Sequence, residues 1–96
     1  EITPELINEV VSEHYNITID QIMSKTRSND IAKPRQIAMY LCKNLTNQPL
    51  DTIGQLLGGR DHSTIIHGIK KITEEYKTNE TLRNTVDTIK KKINPN

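Results

Sequence analysis

Between Gly58 and Ile72 the chain reads GGRDHSTIIHGIKKI, and this stretch holds the side chains best suited to chemistry. Arg60, Asp61, His62, Ser63 and Thr64 stand together just ahead of an apolar run. Asp, His and Ser are the residue types of a hydrolytic triad, but neighbours on a helix diverge by about 100° and cannot line up as a relay. His62 and His67 are five apart, not the four that sets two imidazoles against one metal ion, and no third ligand is evident. No catalytic residue and no metal ligand is therefore expected. Two readings remain. Asp61 can cap the helix that follows, accepting from the amides of Ser63 or Thr64. The cluster can also be the reading end of a nucleic-acid binder, and one carboxylate can serve both.

The helix behind the cluster supports the second reading. Ile65, Ile69, Ile72 and Tyr76, at i, i+4, i+7 and i+11, form one narrow apolar stripe. Opposite them lie Ser63, Thr64, His67, Lys70 and Lys71, and the first acid is Glu74. Hydroxyls can bond base edges, a Thr methyl can pack on thymine, and the two lysines are placed to meet phosphate. Just upstream, a short helix over Leu50 to Leu57 turns at Gly58-Gly59 into this longer one, over Asp61 to Lys77. Gly54 allows close approach of the pair, and Gly58 can take the left-handed conformation of the turn. That is the outline of a helix-turn-helix, whose second helix enters the DNA major groove. A plain helical hairpin has the same outline.

The rest of the chain must position these residues. Ninety-six residues form one small domain, and a first residue of Glu1 rather than Met suggests a piece of a longer protein. Fourteen Ile and seven Leu supply the apolar mass, with no Trp or Phe. A net charge of +1 hides a polar split. Residues 1–20 hold five acids and no Lys or Arg, whereas residues 21–72 hold eight basic and three acidic residues. A cationic middle suits a polyanionic partner, though scattered solvated charge would give the same count. The lone Cys42 excludes a disulfide framework, and no apolar run reaches the length of a membrane span.

The pattern predicts an all-α domain of about six helices, with no period-2 strand signal. Thr3 caps a first helix with Pro4 in its first position, ending near Tyr15 and Asn16. A short helix spans Ile19 to Met23, begun by Thr18 or Asp20. The polar stretch SKTRSNDIAK then reads as irregular, and Pro34 opens a third helix with Ile37, Leu41 and Leu45 on its face. TNQP ends that helix, and the last runs from Glu80 to Ile93 with Asn79 as its cap. Arg27, in the irregular stretch, has the setting of an arginine that enters a narrow minor groove, although an ordinary loop arginine would look the same. Arg35 and Gln36 are expected in the first turn of the third helix, where free amides favour phosphate. Lys43 lies two turns further on. Lys90 to Lys92 offset the dipole at the end of the last helix, and His14 and Cys42 read as packing or edge residues.

Taken together, these residues resemble the C-terminal DNA-binding domain of the bacterial replication initiator DnaA. The resemblance runs from about Ile7 to Ile72 and is densest in SKTRSNDIAKPRQIAMYLCKNLTNQPLDTIGQLLGGRDHSTIIHGIKKI. It implies a Trp-repressor-like helix-turn-helix fold that binds short asymmetric DnaA boxes, similar to TTATCCACA, in double-stranded DNA at the replication origin. Asp61, His62, Ser63 and Thr64 would read the major groove and Arg27 the minor groove. Lys25, Arg35, Gln36 and Lys43 would hold the backbone, as would main-chain amides at Leu50, Asp51 and Thr52, with His67, Lys70 and Lys71 on the outer face of the reading helix. The module would be a monomer without enzymatic activity, acting in the bacterial cytoplasm on the nucleoid. The family's ATPase lies upstream, and no GxxxxGK[ST] loop occurs here, so no cofactor is expected and ATP would belong to the missing part. Regulatory proteins could compete for the DNA face. The chain departs from the family pattern at Asn29, where a basic residue is frequent, at Leu57 for Phe, at Gly68 for Ala or Ser, and at Ser63 for Thr. A repressor of the same fold would instead pair on palindromic DNA, and a protein-interaction module would dock an acidic partner whatever the DNA sequence.

Overall fold

In the computed structural model, which describes residues 1–96, six helices follow one another: α1 Pro4–Tyr15, α2 Ile19–Met23, α3 Asn29–Leu45, α4 Leu50–Leu56, α5 His62–Thr78 and α6 Glu80–Ile93. Strands are absent. Each start has a local cause. The Thr3 hydroxyl accepts from the Leu6 amide at 3.1 Å. Thr18 and Gln21 form a reciprocal capping box, so Thr18 rather than Asp20 begins α2. The Asn79 side chain accepts from the Leu82 amide at 3.1 Å. Asn16, at φ +56°, closes α1 in the left-handed conformation that Asn tolerates.

Helix α3 runs through the middle and packs on α1, α2, α4 and α5, while α6 closes the bundle against α1 and α5. One cluster of sixteen buried residues draws on all six helices, including Ile7, Ile22, Leu41, Ile53, Ile65 and Val86. Cys42 lies inside it, and burial pushes its thiol up to about 12, so it is a packing residue with no thiolate chemistry at neutral pH. His14 sits at an edge, its ring edge-on to Tyr15, with Lys92 Nζ 2.9 Å from Nδ1.

The third helix corrects the sequence reading. It begins at Asn29, and Pro34 lies inside it rather than in its first turn. The Ser28 carbonyl accepts from the amides of Ile31 and Ala32, and its hydroxyl donates to Asp30 Oδ1 at 2.6 Å. Burial of Ile31 and Pro34 extends the stripe of Ala38 and Leu41 back by a turn, and this outweighs the one hydrogen bond proline removes. The irregular stretch shrinks to Ser24–Ser28, which still contains Arg27.

Candidate nucleic-acid interface

Two glycines shape the turn that aims α5. An added Cβ on Gly54 would lie 2.2 Å from the Arg60 carbonyl oxygen, so α4 and the start of α5 meet only because that position is bare. Gly54 also offers one carbonyl to the amides of Leu57, Gly59 and Arg60. Gly58 has φ +89°, with an added Cβ 2.2 Å from the Met23 carbonyl oxygen. The turn is thus pressed against the end of α2, where the Ser24–Ser28 arm begins.

Asp61 caps α5, its carboxylate accepting from the Thr64 amide at 2.9 Å. That bond holds the carboxyl below its ordinary range. Ile65 and Ile72 are fully buried and Gly68 is buried beside them, while Ile69 and Tyr76 are half-buried. The stripe therefore anchors the helix as its spacing required. Tyr76 ends the stripe with its hydroxyl donating to Asp87 Oδ1 at 2.7 Å and its ring stacked on Tyr40. An added Cβ on Gly68 would lie 2.5 Å from Met39 Sδ, so a larger residue would need the Met39 side chain to shift.

The opposite side of α5 is open. His62, Ser63, Thr64, His67, Lys70 and Lys71 are all exposed, as are Lys25, Arg27 and Lys43. His62 Nε2 contacts Asp51 Oδ1 across the turn, between two side chains that both face solvent. No side chain caps α4, so the amides of Leu50, Asp51 and Thr52 have no acceptor in the chain. Gln36 is half-buried where α3 crosses Gly68, with its Oε1 covered and unpartnered. The two histidines do not converge, since the His62 ring is turned to Asp51.

Arg35 overturns its expected role. It is only 5% exposed, and it lies well past the first turn. Its Nε donates to the Ile22 carbonyl at 2.6 Å, and its terminal nitrogens donate to the carbonyls of Gln21, Ser24 and Thr26. These groups end α2 and open the arm, so the guanidinium fixes the root of the Arg27 segment and is not free for phosphate. Arg60, given no role by sequence reasoning, does the matching job from the other side. It donates to the Leu57 carbonyl and, at 2.6 Å, to the Ser24 carbonyl that Arg35 also uses. Burial lowers the pKa of both, and for Arg35 the neighbouring Arg60 charge adds to the effect. No local pattern marks these two arginines, because the Ser24 carbonyl they share lies in another part of the chain.

Ile66 was also missed. It is 51% exposed, on the side of α5 that carries Ser63 and Lys70. The doublet Ile65-Ile66 held the signal: on a helix with one narrow apolar stripe, a residue about 100° from Ile65 falls outside it.

The fold and this face define an all-helical helix-turn-helix module whose outer helix carries cations and no acid from His62 to Thr73. The family model described as the bacterial dnaA protein helix-turn-helix matches residues 4–72. The chromosomal replication initiator protein DnaA of Lachnoclostridium phytofermentans is 50% identical over 94 residues, covering 98% of this chain and 21% of that protein. A solved structure titled as a DNA replication initiation factor superposes with a TM-score of 0.80 at 31% identity, over 91% of this chain and 26% of the other. The chain belongs to the bacterial DnaA helix-turn-helix family. It spans about a fifth of the length of that curated relative.

Proposed function

We propose that this domain binds double-stranded DNA sequence-specifically, at DnaA-box sites of the TTATCCACA type in a bacterial origin, and so serves the initiation of chromosomal replication. The observation that carries the reading is the outer face of α5. From His62 to Thr73 it presents hydroxyl, imidazole and ammonium groups with no acid, while the apolar stripe holds the opposite side in the core. His62, Ser63 and Thr64 read major-groove edges, and Asp61 combines capping with a base contact. Ile66 adds an apolar surface for a thymine methyl beside them.

The Ser24–Ser28 arm, held at its root by Arg35 and Arg60, delivers Arg27 to the minor groove. Lys25, Lys43, His67, Lys70 and Lys71 meet phosphate, with the free amides of Leu50, Asp51 and Thr52 and the Gln36 amide. A base edge must displace the Asp51 carboxylate from His62 Nε2, because that ring nitrogen is otherwise occupied. One copy suffices for an asymmetric box. The whole initiator's ATP chemistry lies in the part upstream, and the complete protein works on the nucleoid in the cytoplasm.

Fluorescence anisotropy at about 150 mM salt, with a TTATCCACA duplex against a scrambled duplex of equal composition, tests this reading. A preference approaching about 10³-fold is the expected result. Equal, weak, salt-sensitive binding to both duplexes would leave only a basic helical surface.

A further inference from the structure

Helix α1 has the opposite sign. Glu5, Glu9 and Glu13 stand one turn apart along α1, all exposed. The ion pairs of the fold, Lys33–Glu75, His62–Asp51 and Lys77–Glu74, include none of them. Between α1, α2 and the last turn of α4 lies a groove of about 260 Å³, lined by Glu5, Asn8, Glu9, Ile19, Met23 and Leu56. Ile19, 38% exposed, is the one large hydrophobic besides Ile66 left open to solvent.

Asn8 is the unexplained group of this groove. It is 4% exposed. Its Nδ2 donates to the Leu56 carbonyl at 3.1 Å, and its Oδ1 is covered without any donor. Exchanging the two ends of the amide would set oxygen against oxygen, so the orientation is fixed by chemistry. Buried acceptors are rarely left this way. Groove walls of Ile19, Met23 and Leu56 offer apolar contact, while Glu5 and Glu9 offer two carboxylates.

We propose that this groove docks a short segment of a partner protein in which a Lys or Arg stands beside an aliphatic side chain. The aliphatic group packs on Ile19, Met23 and Leu56. The cation lies between Glu5 and Glu9 and donates to Asn8 Oδ1 after a small shift of the groove floor. Charge selects this occupant: the same row of acids that attracts it repels a DNA phosphate. Size agrees, since the volume is below the roughly 300–1,000 Å³ of small-molecule sites and suits one or two side chains. Leu56 precedes the helix-turn-helix turn, and the Met23 carbonyl abuts Gly58, so the groove adjoins the DNA-aiming elements without covering the outer face of α5. The domain can hold DNA and this partner together.

The probe is an acetylated, amidated Arg-Leu-Arg-Arg-Leu-Leu-Arg peptide, titrated into the isotope-labelled chain while amide shifts are followed. A second peptide with Gln in place of Arg is the control. Shifts are expected at Glu5, Asn8, Glu9, Ile19, Met23 and Leu56, including the Asn8 side-chain amide. Affinity should fall about tenfold for the Gln peptide and for the double variant E5Q/E9Q, whose affinity for the DnaA-box duplex stays unchanged. Absent shifts, shifts scattered over the surface, or equal peptide affinity in E5Q/E9Q would overturn the proposal. So would groove shifts produced by concentrating the chain alone, which assign the groove to a second copy, or by adding duplex, which assign it to DNA.

Discussion

Arg27 and Arg35 are eight positions apart, carry the same charge and do opposite work. Arg27 is exposed in the Ser24–Ser28 arm with no acceptor in the chain. Arg35 is 5% exposed and donates to four carbonyls at the end of α2 and along that arm. One is available to a polyanion and the other builds the platform that presents it. Net charge over a segment therefore overstates the cations a partner can meet. The cationic middle of this chain counts eight Lys and Arg. Arg35 and Arg60 are committed to backbone carbonyls and Lys33 is paired with Glu75 at 2.6 Å, which leaves Lys25, Arg27, Lys43, Lys70 and Lys71 exposed and unpaired.

The contrast can be broken by substitution. Arg35→Ala should cost about 3 kcal/mol of folding stability, because buried carbonyls lose a charged donor. In a domain of this size that lowers Tm by more than about 10 °C in a calorimetric scan. Arg35→Lys should recover only part, since an ammonium cannot span the same acceptors. An unchanged Tm would return Arg35 to the phosphate set. Arg27→Ala should leave Tm alone and weaken the DnaA-box duplex by about 1–3 kcal/mol, the range of one lost base contact. A comparable loss on scrambled DNA would make Arg27 a phosphate contact instead.

Smaller effects sharpen the comparison further. Lys43→Ala should weaken both duplexes alike and flatten the slope of log K against log salt by about one unit; an unchanged slope would remove Lys43 from the interface. The smallest effect is one of acid. The Thr64 amide holds the Asp61 carboxyl below its ordinary value of 3.8. A carboxyl with a lowered folded-state pKa adds stability that is complete above the unfolded value and lost as pH falls through the folded one. The first turn of α5 should thus loosen only below about pH 4, followed at the Thr64 amide resonance. Asp61→Asn caps without titrating and should abolish that step.

What was legible in the sequence was local. Thr3, Thr18, Asp61 and Asn79 cap the helix that each precedes by hydrogen bonds to amides three residues on, within reach of pattern reading. The stripe from Ile65 to Ile72 and the close approach at Gly54 follow from helical period and side-chain size. Pro34 misled because proline is a familiar opening residue, and the burial of Ile31 ahead of it emerges only when α3 packs. The work of Arg35 and Arg60 was hidden for the same reason, since their acceptors are set by tertiary contact. His62 against Asp51 spans eleven residues across a turn and leaves no local trace. Asn8 is a further example: its missing donor is a property of the groove.

The central claim is that the N-terminal turn of α5 supplies specificity while the cations around it supply affinity. Thr64→Ala tests this most directly, because it removes an exposed hydroxyl and methyl yet keeps the amide that Asp61 caps. Wild type and variant are titrated by anisotropy with the TTATCCACA duplex and with its scrambled counterpart. A loss of about 1–3 kcal/mol on the box with no change on the scrambled duplex is the predicted result. An equal loss on both duplexes would contradict the account, and base reading would have to move to another part of the surface.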